Sequence, residues 1–406
     1  MRLSLLLCAS VALVGAPACD RHIAPNLPPQ RVSDAALTNP PDTVIRDATV
    51  PPHPVDAAPI VDARAPHRSL PVGIELGPYF NEADAGTVAG DAQMLALGVK
   101  AVVLHVPFAD YDLQSPGSAA RWATLSDRAH SYSQAGAEVV IALDLVERTV
   151  TLRPADLTTG WFSGEMRTRL QELIDHLYEL MASDIRALTF GDEVDRYLSV
   201  TADPTRSQFQ QLLLYGLRYA REHQGARPQG DRTVPVTIAL DATLSGWLQA
   251  LAGDAGATPL QALIPEIDAL AVNYLPLDAA AHAVADDQAL EPLRQLALAA
   301  GPHPVLLQEV SYPSDQTVSS SEVRQASFYR RLFDLLTTDG EPFTLLSISP
   351  HTDPSAADCA AQAATYSQPT SSLIAARCSL GLWRHNGQPK AAWSVVLGGI
   401  SSFYSP

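Results

Sequence analysis

The chain has 406 residues, 47% of them hydrophobic and 17% charged, with a formal net charge of −17. That is ample apolar material for one large core or two modest ones. So acidic a chain repels a polyphosphate backbone, which excludes nucleic acid as a partner; solubility accounts for most of the charge.

The first segment, "MRLSLLLCASVALVGAPACDR", has one early Arg, an apolar stretch through Val14 and small residues around Pro17. It reads as an export signal, residues 1–18, with too short a core to span a membrane. Two processing outcomes fit it. Ala16 and Ala18 suit cleavage after Ala18 by ordinary signal peptidase, and "APAC" suits a lipobox in which Cys19 is lipidated and becomes the mature N-terminus. Residues 19–69 follow as a tether: residues 21–70 hold ten prolines and no sustained hydrophobic period, so they cannot offset their ordering entropy by burial.

From Leu70 onward, short apolar runs alternate with amphipathic stretches. The strand candidates are "PVGIEL" (71–76), "AVVLHV" (101–106), "EVVIAL" (138–143), "RALTF" (186–190), "VPVTIAL" (234–240), "IDALAVNY" (267–274), "HPVLLQEV" (303–310) and "FTLLSI" (343–348). Most are near-continuous apolar runs, the pattern of parallel strands covered on both faces. Between them, stretches such as "MRTRLQELIDHLYELMA", "SQFQQLLLYGLRYAREH" and "SEVRQASFYRRLFDLL" carry apolar residues at helical spacing, where Met and aromatic positions serve core packing. Eight strand–helix units predict an α/β fold, a single (β/α)8 barrel over residues 70–406. A doubly wound open sheet is the alternative, but "IELGPYFNEADAG" after the first strand is not a Gly-rich phosphate loop. Cys359 and Cys378 are the cysteines left in the exported domain, and either pair as a disulfide or remain two buried thiols.

Active sites of such barrels lie at the C-terminal ends of the strands. The polar residues there are Glu75 and Tyr79, His105 and Asp110, Asp144 and Glu147, Asp192 and Glu193, Asp241, Asn273 and Tyr274, Glu309, and His351 with Asp353. Glu193 ("ALTFGDE") and Glu309 ("PVLLQE") each close an apolar run, on the fourth and seventh strands, which face each other across the mouth. Cleaving a glycosidic bond needs one protonated carboxyl for the leaving oxygen and one carboxylate for the anomeric carbon.

These motifs resemble the clan A retaining glycoside hydrolases. "TFGDEVDRYL" is similar to the clan's acid/base segment, "VLLQEVSYPS" to its nucleophile segment, "AVNYLPL" to the end of its sixth strand, and "GLWRHNGQPKAAW" to its Gly-x-Pro-Lys ending. The resemblance implies Glu193 as acid/base, Glu309 as nucleophile and Tyr274 as the residue orienting Glu309. From their places at or just past the strand ends, Asp192, Tyr274, Asn273, His105, Glu75, Tyr312 and His351 are the expected sugar contacts. Asp192 stands where the family has Asn; it cannot donate as an amide does, and its charge should raise the pKa of Glu193. The segment at the end of the eighth strand, "SISPHTDPSAADC", holds no Trp where the family commonly has one, so the stacking surface is either missing or supplied by Trp161, Trp247, Tyr312 or Trp383. No His-x-His, HExxH or G-x-S-x-G motif is present.

The expectation is therefore an exported retaining glycosidase acting on a β-linked oligo- or polysaccharide. It needs no cofactor or metal, works as a monomer, and touches a membrane only through a lipid on Cys19. The alternative is a degenerate surface lipoprotein that binds glycan in the barrel mouth.

Overall fold

The computed structural model describes residues 70–75, 85–229, 232–338, 342–355, 358–360 and 369–404. The export signal, the tether, Cys19 and Tyr79 lie outside the described residues. Eight strands form the barrel: β1 (Val72–Ile74), β2 (Ala101–Pro107), β3 (Glu138–Glu147), β4 (Ile185–Asp192), β5 (Thr237–Thr243), β6 (Ala269–Tyr274), β7 (Val305–Val310) and β8 (Phe343–Ile348). Each pairs in parallel with its neighbour in sequence, and β8 pairs with β1 to close the ring. Closure leaves no exposed edge, and at least one helix follows every strand.

Several of the expected strand bounds shift, β3 among them, which runs on to Glu147. Val234 and Pro235 belong to an antiparallel ribbon, Ala226–Gln229 against Arg232–Pro235, and β5 starts only at Thr237. Proline has no N–H to give a central ladder, so Pro235 marks the break. β4 runs two residues past the apolar stretch, through Gly191 to Asp192.

The lumen is filled by small residues at alternate positions, among them Ala101 and Val103, Val140 and Ala142, Ala187, Ala239, and Ala269 with Ala271. Gly73 on β1 is needed because a Cβ there would lie 2.5 Å from the Ala101 carbonyl oxygen. The opposite strand faces meet the helices. Helix Gly164–Met181, capped by Ser163 accepting from the Met166 N–H, buries Met166, Leu170, Leu173, Ile174, Leu177 and Met181.

The segment after β8 is pinned by a buried ion pair. Lys390 Nζ donates to Asp353 Oδ1 at 2.7 Å, to Ser314 Oγ at 2.9 Å and to the Ser379 carbonyl at 3.1 Å, while the Gly381 N–H donates to the same Asp353 oxygen at 2.8 Å. Asp353, a strand-end candidate for function, therefore holds the chain ending together. Cys359 and Cys378 form a disulfide with Cα atoms 5.5 Å apart, beside helix Ser371–Arg377. Asp353→Ala should strand the buried Lys390 charge and lower unfolding free energy by about 3 kcal/mol, read from urea denaturation.

Candidate active site

The alternation that fills the lumen also builds the mouth. On β2, Ala101 and Val103 point inward and His105 follows; on β3, Val140 and Ala142 are followed by Asp144. In the same way Asp241 follows Ala239, Asn273 follows Ala271, and Glu75 lies two residues past Gly73. On β7 the parity that puts Leu306 inside also puts Gln308 inside, which would send Glu309 outward. A bulge prevents this: Leu307 and Glu309 stand opposite Val272 and Asn273, so two steps on β7 match one on β6. Gln308 Nε2 reaches Asp241 Oδ2 at 3.1 Å, and Glu309 Oε1 lies 3.7 Å from His105 Nε2. Both side chains thus enter the mouth.

Glu193 is placed by a tight exit from β4. Gly191 has φ +78°, and a Cβ there would lie 2.1 Å from Val194 Cγ1. Glu193 itself takes a left-handed backbone, φ 51° and ψ 51°, a conformation unusual for a residue with a side chain. Helix Val194–Val200 begins immediately after it, and Asp195 in its first turn accepts from the Thr243 N–H at 2.9 Å and the Thr243 hydroxyl at 2.5 Å. That ties the end of β4 to the end of β5.

Two charge environments result. Glu193 is contacted by Arg196, by Arg377 Nη2 at 3.4 Å and by Arg148 Nε at 3.8 Å, and Arg148 also holds Glu147 at 2.5 Å. Burial alone would push the Glu193 carboxyl up, but the three guanidiniums outweigh it and hold it below the usual carboxylate range. The expected upward shift from Asp192 is thereby overturned. Glu309 has no such guanidinium contact at ion-pair distance among the described residues. Burial first and Glu75 second push its pKa up to about 7, against the opposing pull of His105, Arg148 and Arg377.

His105 lies between carboxylates, its Nδ1 2.9 Å from Asp144 Oδ2 and its Nε2 3.2 Å from Glu75 Oε1. Burial lowers its proton affinity, yet Asp144 and Glu75 raise it well above the ordinary histidine value.

Asp192 accepts from Asn273 Nδ2 at 2.7 Å. Burial pushes its pKa well above the usual range; Arg148 opposes this, and Glu309 and Glu193 add to it. A protonated Asp carries an O–H donor, which restores the donor capacity that its charged form lacks relative to Asn.

A cavity of about 510 Å³ opens beside this cluster, lined by Glu193, Arg196, Asn273, Tyr274 and Arg377 among others. That volume is within the roughly 300–1,000 Å³ of small-molecule sites. Glu309 is not among the described residues that line it.

The structure brings Glu75, His105, Asp192, Glu193, Asn273 and Glu309 together, and corrects three other expectations. Tyr274 does not orient Glu309; its hydroxyl donates to the Ala289 carbonyl in the loop after β6. Tyr312 is fully buried, stacked on Phe328 with its hydroxyl on the Val284 carbonyl at 2.7 Å, so it offers no sugar platform. Trp161 and Trp247 are likewise core residues. Trp383 is half-buried against His351 and Trp393 and remains the candidate platform. Burial lowers the pKa of His351 to about 4, which keeps the ring neutral at ordinary pH. Arg148 and Arg377 were not among the expected site residues. Arg148 closes the β3 segment in sequence, but nothing local marks Arg377, which arrives from the far end of the chain.

No protein-family model matches the chain, and no curated protein matches it in sequence. Solved structures do share its fold. A GH5_18 protein from Streptomyces cattleya in complex with GlcNAc superposes with TM-score 0.60 at 17% identity, over 84% of this chain and 82% of that one. A variant GH5_18 from Bifidobacterium longum in complex with Manβ1-4GlcNAc gives 0.59 at 17%, over 83% and 79%. The exo-β-1,4-mannosidase Op5Man5 from Opitutaceae bacterium strain TAV5 gives 0.56 at 17%, over 84% and 62%. The architecture is thus the barrel that glycoside hydrolases of this kind use.

Because the folded-state pKa of Glu193 is depressed, its contribution to stability is complete above the unfolded value of about 4.3 and is lost as pH falls through the folded value. Glu193→Gln should destabilise the protein at pH near 7 by on the order of 3 kcal/mol, since three guanidiniums lose their counter-charge. The gap to wild type should narrow in acid below that value, as followed by urea unfolding across pH.

Proposed function

We propose that the protein is a retaining β-glycoside hydrolase in which Glu309 attacks the anomeric carbon and Glu193 serves as acid and then base. The observation that carries this reading is the pair itself. Two buried glutamates from facing strands enter one charge cluster, one among guanidiniums and one among carboxylates and an imidazole. In the first step Glu309 forms an ester to the anomeric carbon while the glycosidic bond breaks and Glu193 protonates the leaving oxygen. In the second, Glu193 takes a proton from water, which displaces Glu309.

The free protein holds the Glu193 charge, so the proton must arrive with substrate. Arg196, the largest of the three guanidinium influences, is 46% exposed at its side chain and lines the cavity. A sugar entering there displaces it and raises the proton affinity of Glu193. Protonated Asp192 donates to the sugar hydroxyl next to the reacting carbon. β-Mannosides are the first substrates to test, because the neighbouring structures include a Manβ1-4GlcNAc complex and an exo-β-1,4-mannosidase. Export as a monomer, held at a membrane through a lipidated Cys19 and the Pro-rich tether, completes the reading; the small residues before Cys19 support it.

One observation favours a second reading, a barrel that binds glycan without cleaving it. The guanidiniums neutralise the intended acid, and the cavity reaches Glu193 but not Glu309. A mechanism-based fluorosugar separates the cases. Label on Glu309, with hydrolysis of aryl β-glycosides abolished in Glu309→Ala, supports the proposal, and label on Glu193 reverses the two roles. Binding of Manβ1-4GlcNAc with no turnover of any aryl glycoside in a broad panel establishes the second reading. Asp192→Asn should keep kcat/KM near wild type, whereas Asp192→Ala should lose about tenfold or more, the worth of one hydrogen bond to the sugar.

A further inference from the structure

The chain has none of the local His motifs by which metal sites are found in sequence, yet three separate strands assemble a ligand set. Glu75 past β1, His105 on β2 and Glu309 on β7 present Glu75 Oε1, His105 Nε2 and Glu309 Oε1 within 4.8 Å of one another. The imidazole nitrogen lies 3.2 Å from the first oxygen and 3.7 Å from the second. An ion bound about 2.0–2.2 Å from each nitrogen and oxygen ligand holds those ligands roughly 3–3.5 Å apart, so the two sides at His105 are near that spacing and the two glutamate oxygens, within 4.8 Å, close onto the ion by side-chain rotation.

Two independent features point at an ion. The Asp144 carboxylate stands 2.9 Å from Nδ1, where it can accept that N–H and orient Nε2 toward the two glutamates, the usual support for a metal-bound histidine. Glu75 is 5% exposed, and among the described residues neither of its carboxylate oxygens has a hydrogen-bond partner. Its Oε1 lies 3.2 Å from His105 Nε2, a contact inside the cluster itself. A buried carboxylate in that condition is costly unless something binds it.

We propose that Glu75, His105 and Glu309 bind one divalent first-row transition-metal ion of the Zn²⁺ class at the floor of the barrel mouth. Mixed imidazole and carboxylate ligands suit such ions and are poor hosts for Ca²⁺ or Mg²⁺. The site goes beyond the glycosidase reading and competes with it: an ion on Glu309 Oε1 covers the oxygen that would attack the anomeric carbon.

The test titrates untagged, chelator-stripped full-length protein with Zn²⁺ by calorimetry, and with Co²⁺ by visible absorption. The expected result is one ion per chain with the ligand-field bands of a nitrogen–oxygen site. Glu75→Gln and His105→Asn should each remove binding, and Asp144→Asn, which leaves all three ligands in place, should weaken it by about 10–100-fold. His282→Asn, at an exposed histidine elsewhere, should leave binding unchanged. Circular dichroism confirms that each variant is folded. No uptake by folded wild type at millimolar Zn²⁺, or uptake undiminished in both folded Glu75→Gln and folded Asp144→Asn, overturns the proposal. The two readings fail separately. Turnover in chelator without metal uptake removes only the metal site, and uptake without turnover in either state removes only the hydrolase.

Discussion

Six carboxyl groups are buried in one barrel mouth with fewer cations than would balance them all. Glu75, Asp144, Asp192, Glu193, Asp241 and Glu309 are each less than a tenth exposed, and the cations among them are the buried Arg148 and Arg377 and, when protonated, the half-buried His105. Charge is allotted by contact. Glu193 collects the guanidiniums and keeps its charge; Asp144 and Glu75 share the imidazole. Asp192 and Asp241 are met by amide side chains, Asn273 and Gln308, and both are pushed well above the usual carboxylate range. Burial is the largest cause in both, and the neighbouring acids add to it. Titration in such a cluster belongs to the set rather than to any one residue, so a substitution at one carboxylate moves its neighbours too.

Much of this could be read along the chain because a parallel barrel imposes a simple rule. A strand covered on both faces is apolar throughout, so polar residues stand out where it surfaces at the mouth. Parity then selects among them: His105, Asp144 and Asp241 share the side of their strands that carries Ala and Val lower down. Parity fails at Glu309, which faces inward only through the bulge on β7, and an extra unpaired residue leaves no trace in an apolar run. It fails again for Arg377, brought to Glu193 across a sequence separation of 184. Tyr274 and Tyr312 misled for another reason. Each sits at a strand end as a sugar-binding aromatic would, but its hydroxyl is claimed by a backbone carbonyl of the loop after β6.

Asp192 shows how an isolated substitution can be misjudged. Compared with Asn by charge alone, it removes a donor and adds a repulsive neighbour to Glu193. Within the cluster burial raises its proton affinity, and the protonated form neither repels Glu193 nor lacks a donor, while the Asn273 amide occupies one of its two oxygens. The identity of a side chain at such a position says less than its protonation state.

The disulfide gives the mouth a link to its surroundings. Cys378 directly follows Arg377, at the end of the short helix Ser371–Arg377, and its partner Cys359 lies on the segment leaving β8. The crosslink therefore fixes the base of the side chain whose guanidinium grips Glu193. Covalent chemistry at the rim and proton affinity in the interior are mechanically joined: a reducing compartment would leave the barrel closed but one wall of its charge cluster on a looser hinge.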